Sequence, residues 1–414
     1  MNLEIEKIGP DRPDESLDKE DIKRSFSDLL SHKYRSLEKF VDCDRLFFIV
    51  NDFKRATPTS LILKSIDEYL VDRGLNLFDR EVEVIVATGT HEPPTENGLK
   101  QILGDYYELL EPKTMIHNCK TDEHVDLGTT ERGTPIKVNE NILAYDRIIA
   151  INSMEPHYFA GFTGGRKSLV PGICHWDTVE SNHKFSLADE ALPLSLDENP
   201  VNLDLVEGTE MIIDFLEGDL IAVNSVATSG EVYGISSGDI FRTFDSLVKR
   251  SREVFTSEVS KKADIVIAKT ADPATKNLYQ SVKSFENCKE ICRDGGVLIL
   301  VSECYEGIGP KIFYEVLCSS DKPKDIREKV HAEYPLGSET AVNILDFLED
   351  HSLYIVSELE NETVENCFCE SFNSVEKAFN SALEQVGDDP HVVEVDEANN
   401  VVPVVKNSKD KKTF

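Results

Sequence analysis

What this chain lacks narrows it before any motif is read. Nowhere in its 414 residues is there a run of about eighteen apolar side chains, the length that crosses a bilayer as a helix. The amino terminus MNLEIEKIGPDRPDESLDKED is charged where a signal peptide would be apolar. Cysteines paired as CxxC are absent, and the nine present are scattered and odd in number, so reduced thiols are expected and a disulfide framework is not. Basic side chains are scarce: 44 Lys and Arg against 77 Asp and Glu leave a net charge of -33. Such a field repels phosphate backbones and anionic lipid, which removes nucleic acid and membranes from the expected partners. No repeat of solenoid length and no low-complexity tract occurs. Together these absences predict a cytoplasmic globular protein.

The length allows two domains, each with its own core. Continuous apolar runs bounded by turn residues recur at 45–50, 81–87, 146–152, 264–269, 295–302 and 353–356. Runs of this kind predict strands buried on both faces. Helical patterns alternate with them: 16–30, 58–72 with Thr57 and Pro58 as cap and first-turn proline, 95–110, and a long connector over 240–259. The basic end KNSKDKKTF is expected to fray. This grammar predicts an α/β protein of two domains, 1–259 and 260–414, with mainly parallel sheets. Ligands of open α/β sheets bind outside the carboxyl ends of the strands. Asp52, Arg55, His91, His157 and Lys167 all follow such ends, so they can converge on an active site expected in the interdomain cleft.

The segment 153–183, SMEPHYFAGFTGGRKSLVPGICHWDTVESNH, is the densest in chemistry. It carries His157, His175 and His183 and sets Lys167 beside Gly161, Gly164, Gly165 and Gly172. Long irregular loops in compact domains are usually functional, and glycine lets backbone approach a ligand closely. GFTGGRKS has the length of a phosphate-binding loop, but Arg166 replaces the required glycine and the loop starts well after the strand ends. A nucleoside triphosphatase is therefore a poor match. His32, His117, His124, His331, His351 and His391 read as ordinary solvated or hydrogen-bonded residues, and His175 as structural. His91, His157 and His183 sit in strand-exit loops or their continuation and could share a cleft. The pairs Cys288 with Cys292 and Cys367 with Cys369 read as small core residues.

The motifs NDFKRATPT, ATGTHEPPT, EPHYFAGFTGGRKSLVPG, the pair Asn182-His183, and NLYQSVK resemble, in order and over roughly 45–310, those of the lactate racemase family. The resemblance implies a nickel-pincer nucleotide joined as a thioamide to Lys167, with nickel held by His183 and with His91 and His157 as the acid/base pair. It further implies Asp52, Thr88, Gly89 and Thr90 toward the nucleotide, and Arg55, Lys283, Tyr279 and Gln280 toward the substrate carboxylate. Thr163 stands where many members carry serine. Transient contact with the proteins that make the cofactor is implied too.

These assignments make chemical sense. The α-hydrogen of a 2-hydroxy acid is poorly acidic, so its removal as hydride by a nickel-bearing pyridinium is the easier route to inversion. Two histidines can then serve the hydroxyl in either orientation. Cofactor sulfur and carbon plus one imidazole give nickel a planar site, and Arg55 offers a fork to a carboxylate. The expected function is a racemase or epimerase of a lactate-like 2-hydroxy acid. The alternatives are an oxidoreductase or nucleotide-dependent enzyme of the same fold without nickel, and a carrier that holds the cofactor without turnover. The carrier would need Lys167 and His183 but not His91 and His157 together with Arg55 and Lys283.

Overall fold

In the computed structural model, which describes residues 4–406, the run RLFFIVN forms the strand Arg45–Asn51 inside a six-stranded sheet. Leu46, Phe48 and Val50 enter one apolar core with Ile62, Ile66 and Leu70 of the helix Thr59–Val71. Phe47 and Ile49 enter another, with Val170, Leu205 and Ile212. Burial on both faces is why the run is continuous rather than alternating, and each such side chain contributes roughly 1.5–3 kcal/mol when fully buried.

From edge to edge the strands are Glu231–Gly238, Leu220–Thr228, Arg147–Ser153, Arg45–Asn51, Glu81–Ala87 and Thr114–Ile116. All neighbours are parallel except the first pair. The chain builds one way from Arg45–Asn51 and then returns to its other side with Arg147–Ser153. In a doubly wound sheet the crevice lies where the order reverses, outside the carboxyl ends of those two strands. Asp52 and Met154 are the first residues beyond them.

This sheet belongs to a unit spanning Pro13–Val254; a second unit draws on Met1–Arg12 and Phe255–Phe414. The second holds a wholly parallel sheet ordered Ile5–Ile8, Val392–Val395, Ala263–Lys269, Cys292–Val301, Ser352–Val356 and Glu370–Phe372. Ile265, Ile267, Val297 and Ile299 pack there against Ala378 and Ala382 of the helix Val375–Val386. Helix Leu278–Cys288 follows the Ala263–Lys269 strand and carries Tyr279, Gln280 and Lys283.

The structure departs from the sequence reading where local signals are weak. Ile5–Ile8, placed by that reading in the first domain, pairs with Val392–Val395 in the second unit. Strand Glu231–Gly238 is not anticipated, because Gly234, Ser236 and Ser237 interrupt any apolar run. The helix expected over 95–110 stops at Leu103, since Gly104 takes φ +54 with the Ser60 hydroxyl where a Cβ would sit. The connector helix ends at Phe255, and Thr256–Val259 becomes a strand beside Val402–Val405. The basic end lies, from residue 407 on, outside the described residues. No helix among the described residues is long and apolar enough to cross a membrane. Cys288, Cys292, Cys367 and Cys369 are buried free thiols, as read.

Candidate active site

The loops leaving the two central strands are knotted together. Asn51 Oδ1 accepts from the Thr57 hydroxyl at 2.8 Å and from the Ser153 amide at 3.3 Å, and the two hydroxyls lie 2.8 Å apart. Thr57 is therefore not the expected helix cap; the helix begins at Thr59 without a side-chain cap. Asp52 comes next and is buried, its Oδ1 accepting from the Lys54 amide and its Oδ2 lying 2.5 Å from His91 Nδ1. Burial raises the Asp52 pKa, but the His91 hydrogen bond and charge, with Arg55 and Lys54 behind them, hold it below the ordinary carboxylate value. His91 sits on a turn fixed by the Thr88 carbonyl, by the Thr88 hydroxyl on the His117 carbonyl, and by the Gly89 amide on the Gly172 carbonyl. Thr88 is thereby buried, while Thr90 is exposed. Arg55 Nη1 donates to Glu155 Oε1 at 2.8 Å, and its Nε and Nη2 make no hydrogen bond among the described residues.

Glycines then shape the loop. Gly161 takes φ +74, and a Cβ there would strike the Ser195 carbonyl. Pro156–His157 pairs with Gly161–Phe162, and the buried Thr163 hydroxyl clamps the hairpin between the Ser153 carbonyl at 2.9 Å and the Glu155 amide at 3.0 Å. Gly164 and Gly165, at φ +84 and +48, turn the chain into the short helix Gly165–Ser168. Arg166, where a phosphate-binding loop needs glycine, is buried behind the loop, bonded to Asn202 and set 3.6 Å over the Phe244 ring. Burial pushes its pKa down to about 10, with Asp245 opposing.

Lys167 points the other way, toward Phe159. Around that ring stand His157 at 4.5 Å, His183 at 5.0 Å and Lys167 Nζ at 5.3 Å. Lys167 Nζ lies 3.3 Å from His157 Nε2, and His157 Nδ1 accepts from the Ala160 amide. Lys167 is half-buried with its amine enclosed; burial, then Arg55 and Arg166, push its pKa well below the ordinary lysine value. His183 is the last residue of the helix Trp176–His183 rather than part of a loop. Burial, then Lys167 and His91, push its pKa down to about 3, with the Val179 backbone opposing, and its buried Nδ1 has no well-formed hydrogen bond among the described residues. His175, read as structural, caps that helix by accepting from the Asp177 amide. His117 is buried between the Cys174 carbonyl and Asn139.

Of the six expected side chains of this unit, Asp52 pairs with His91, Lys167 lies beside His157, and the charges of Arg55, His91 and Lys167 reach their neighbours Asp52, Lys167 and His183. A proton-poor amine suits a covalent linkage, and a neutral imidazole with an unused nitrogen suits a metal. Among the described residues no three His, Cys, Asp or Glu side chains are placed to hold a metal ion. The enclosed Lys167 amine and the buried Nδ1 of His183 fit a cofactor tethered at the lysine that brings a metal with donors of its own. Tyr279, Gln280 and Lys283 lie on the other unit's helix. Tyr279 packs on Phe313 at 5.5 Å, and burial raises its hydroxyl to about 12; Gln280 is exposed and Lys283 half-buried. Glu155 and Phe159 escape the sequence reading of site roles. Both lie inside the quoted central motif, but neither residue type alone signals a partner for Arg55 or a hub for two histidines and a lysine.

A doubly wound sheet with histidines and an enclosed lysine at its switch point is the framework of an α/β enzyme. Residues 5–193 match the lactate racemase N-terminal domain and residues 259–403 the lactate racemase C-terminal domain. The chain belongs to the lactate racemase family, and with it to the isomerases. It is 27% identical to the lactate racemase of Thermoanaerobacterium thermosaccharolyticum over 375 residues, 86% of this chain and 82% of that protein. To the lactate racemase of Lactiplantibacillus plantarum it is 26% identical over 325 residues, 75% and 74% of the two chains. The solved lactate racemase apoprotein from T. thermosaccharolyticum superposes with a TM-score of 0.83 at 24% identity, covering 97% of this chain and 94% of that one. A Thermotoga maritima protein gives 0.72 at 17%, covering 94% and 99%. These superpositions establish the mixed, mainly parallel α/β fold.

Proposed function

We propose that this protein inverts C2 of a small 2-hydroxy acid in the cytoplasm, with a nickel-pincer nucleotide on Lys167 and nickel held by His183. The observation that carries the reading is the meeting, around Phe159, of a proton-poor amine and a proton-poor imidazole. When bound, the group supplies reversible hydride acceptance at C2, the chemistry a poorly acidic α-hydrogen requires.

The chain's own residues do the rest. Asp52 occupies Nδ1 of His91, which leaves Nε2 to exchange the substrate hydroxyl proton. His157, held at Nδ1 by the Ala160 amide and facing Lys167 Nζ with its Nε2, is proposed as the second acid/base group. Inversion needs a proton acceptor for either orientation of the hydroxyl, and two histidines meet that need. The Nε and Nη2 edge of Arg55 presents parallel donors to a carboxylate. Lys283 is proposed as a second cation for it, with Tyr279 and Gln280 alongside, and Thr88, Gly89 and Thr90 as the nucleotide's neighbours. Loading of Lys167 is assigned to transient contact with the proteins that make the nucleotide.

The test is exchange of the C2 hydrogen, and loss of optical rotation, across single-enantiomer 2-hydroxy acids with protein from cofactor-competent cells. Inversion of at least one acid is expected; inversion of none contradicts the reading.

A further inference from the structure

Arg55 is proposed above to seize the substrate carboxylate, yet it already faces one. Its partner Glu155 stands on the opposite lip of the switch point: Arg55 follows the strand Arg45–Asn51, and Glu155 follows Arg147–Ser153. We infer that Glu155 is the specificity-determining residue of this site, admitting 2-hydroxy monocarboxylates and turning away acids that carry a second carboxylate.

The Glu155 backbone is fixed. Its amide donates to Thr163 Oγ1 at 3.0 Å, its carbonyl accepts from the Thr163 amide at 2.8 Å, and the Thr163 hydroxyl is anchored on the Ser153 carbonyl. Ser153 in turn is knotted to Asn51 and Thr57, which places Arg55 and Glu155 in one rigid frame. The side chains are only 25% and 16% exposed. Charge in so dry a setting acts more strongly than on an open surface.

Glu155 takes Nη1 and leaves the Nε and Nη2 edge, so one incoming carboxylate can still dock with two parallel bonds. That first carboxylate meets an arginine that Glu155 already faces at 2.8 Å. On a small acid, a second carboxylate would remain within a few ångströms of Glu155, on the side of Arg55 that the glutamate already holds. Repulsion of this kind is how a site discriminates between ligands that share their first anchor. The rival view is that Glu155 is a resting partner that any substrate displaces, in which case removing its charge would strengthen all carboxylates alike.

The proposal rests on the racemase reading, and its test separates the two. Cofactor-loaded wild type, Glu155→Gln and Glu155→Asp are compared on 2-hydroxypropanoate and 2-hydroxybutanedioate. Calorimetric binding of unreactive propanoate and butanedioate is measured on the same samples, with the Lys167 adduct and nickel content checked. Wild type should favour the monocarboxylate, Glu155→Gln should erase about tenfold or more of that preference through KM, and Glu155→Asp should keep it. Wild-type preference for the dicarboxylate, or an equal gain for both acids in Glu155→Gln, overturns the inference while the racemase reading stands. Should wild type invert neither acid, the racemase reading fails for them, and the ratio of the two calorimetric affinities still decides the role of Glu155.

Discussion

Asp52 and His91 meet at 2.5 Å across the ends of the neighbouring strands Arg45–Asn51 and Glu81–Ala87. The carboxylate is buried and the imidazole is the more open of the two, so on the proposed reading Asp52 orients His91 and His91 exchanges the proton. Asp52→Asn keeps the shape but removes the charge that orients His91. Turnover should fall by ~10²–10⁴-fold with the Lys167 adduct unchanged, as read by steady-state rates beside intact mass. The Asp52 pKa lies below its ordinary 3.8. Its contribution to stability is therefore complete above that pH and is lost as pH falls through the lower folded value. Urea unfolding should show wild type ahead of Asp52→Asn at neutral pH, with the gap closing at strongly acid pH.

His183 gives a second pH signature, over a different window. Its pKa falls from 6.5 to about 3 on folding. The unfolded chain thus binds the proton first, and stability contributed by this residue is full above 6.5 and lost as pH drops toward 3. Replacement by Gln should flatten the acid limb of stability against pH between those values. In cofactor-loaded protein, His183→Ala should lose nickel by elemental analysis while His91→Ala and His157→Ala retain it.

Gly161 should tolerate no side chain. Its positive φ and the Ser195 carbonyl against its hydrogen predict that Gly161→Ala destabilises the protein by roughly 1–3 kcal/mol or more. Equilibrium unfolding measures the loss. Gly133, also at positive φ but with nothing within 4 Å of a Cβ, is the control and should cost less.

Arg55→Lys keeps the charge and loses the fork. It should raise KM for the substrate by about tenfold, the worth of one lost charge-assisted hydrogen bond, and leave the adduct on Lys167 intact. Lys283→Ala should weaken substrate use in the same assay if Lys283 supplies the second cation.

Much of this was legible in the chain because the central strands are buried on both sides. RLFFIV, EVEVIVA and the run ending at Asn152 read as interior, and the residues that follow them as lying at one end of a sheet. Ile5–Ile8 was hidden because its partner Val392–Val395 is nearly a chain length away, and parallel pairing over that distance leaves no local trace. The cations and histidines of the proposed site stand out in the chain by type and motif. Glu155 and Phe159 could not, since a lone glutamate and a lone phenylalanine acquire their roles only from what the fold brings beside them.

The most direct test of the account is the mass of the tryptic peptide bearing Lys167. Protein made in cells that synthesise the nucleotide should carry an adduct on Lys167 and turn over a 2-hydroxy acid. Protein from cells lacking the pathway should carry none and be inactive. An active enzyme with unmodified Lys167 would contradict the central claim.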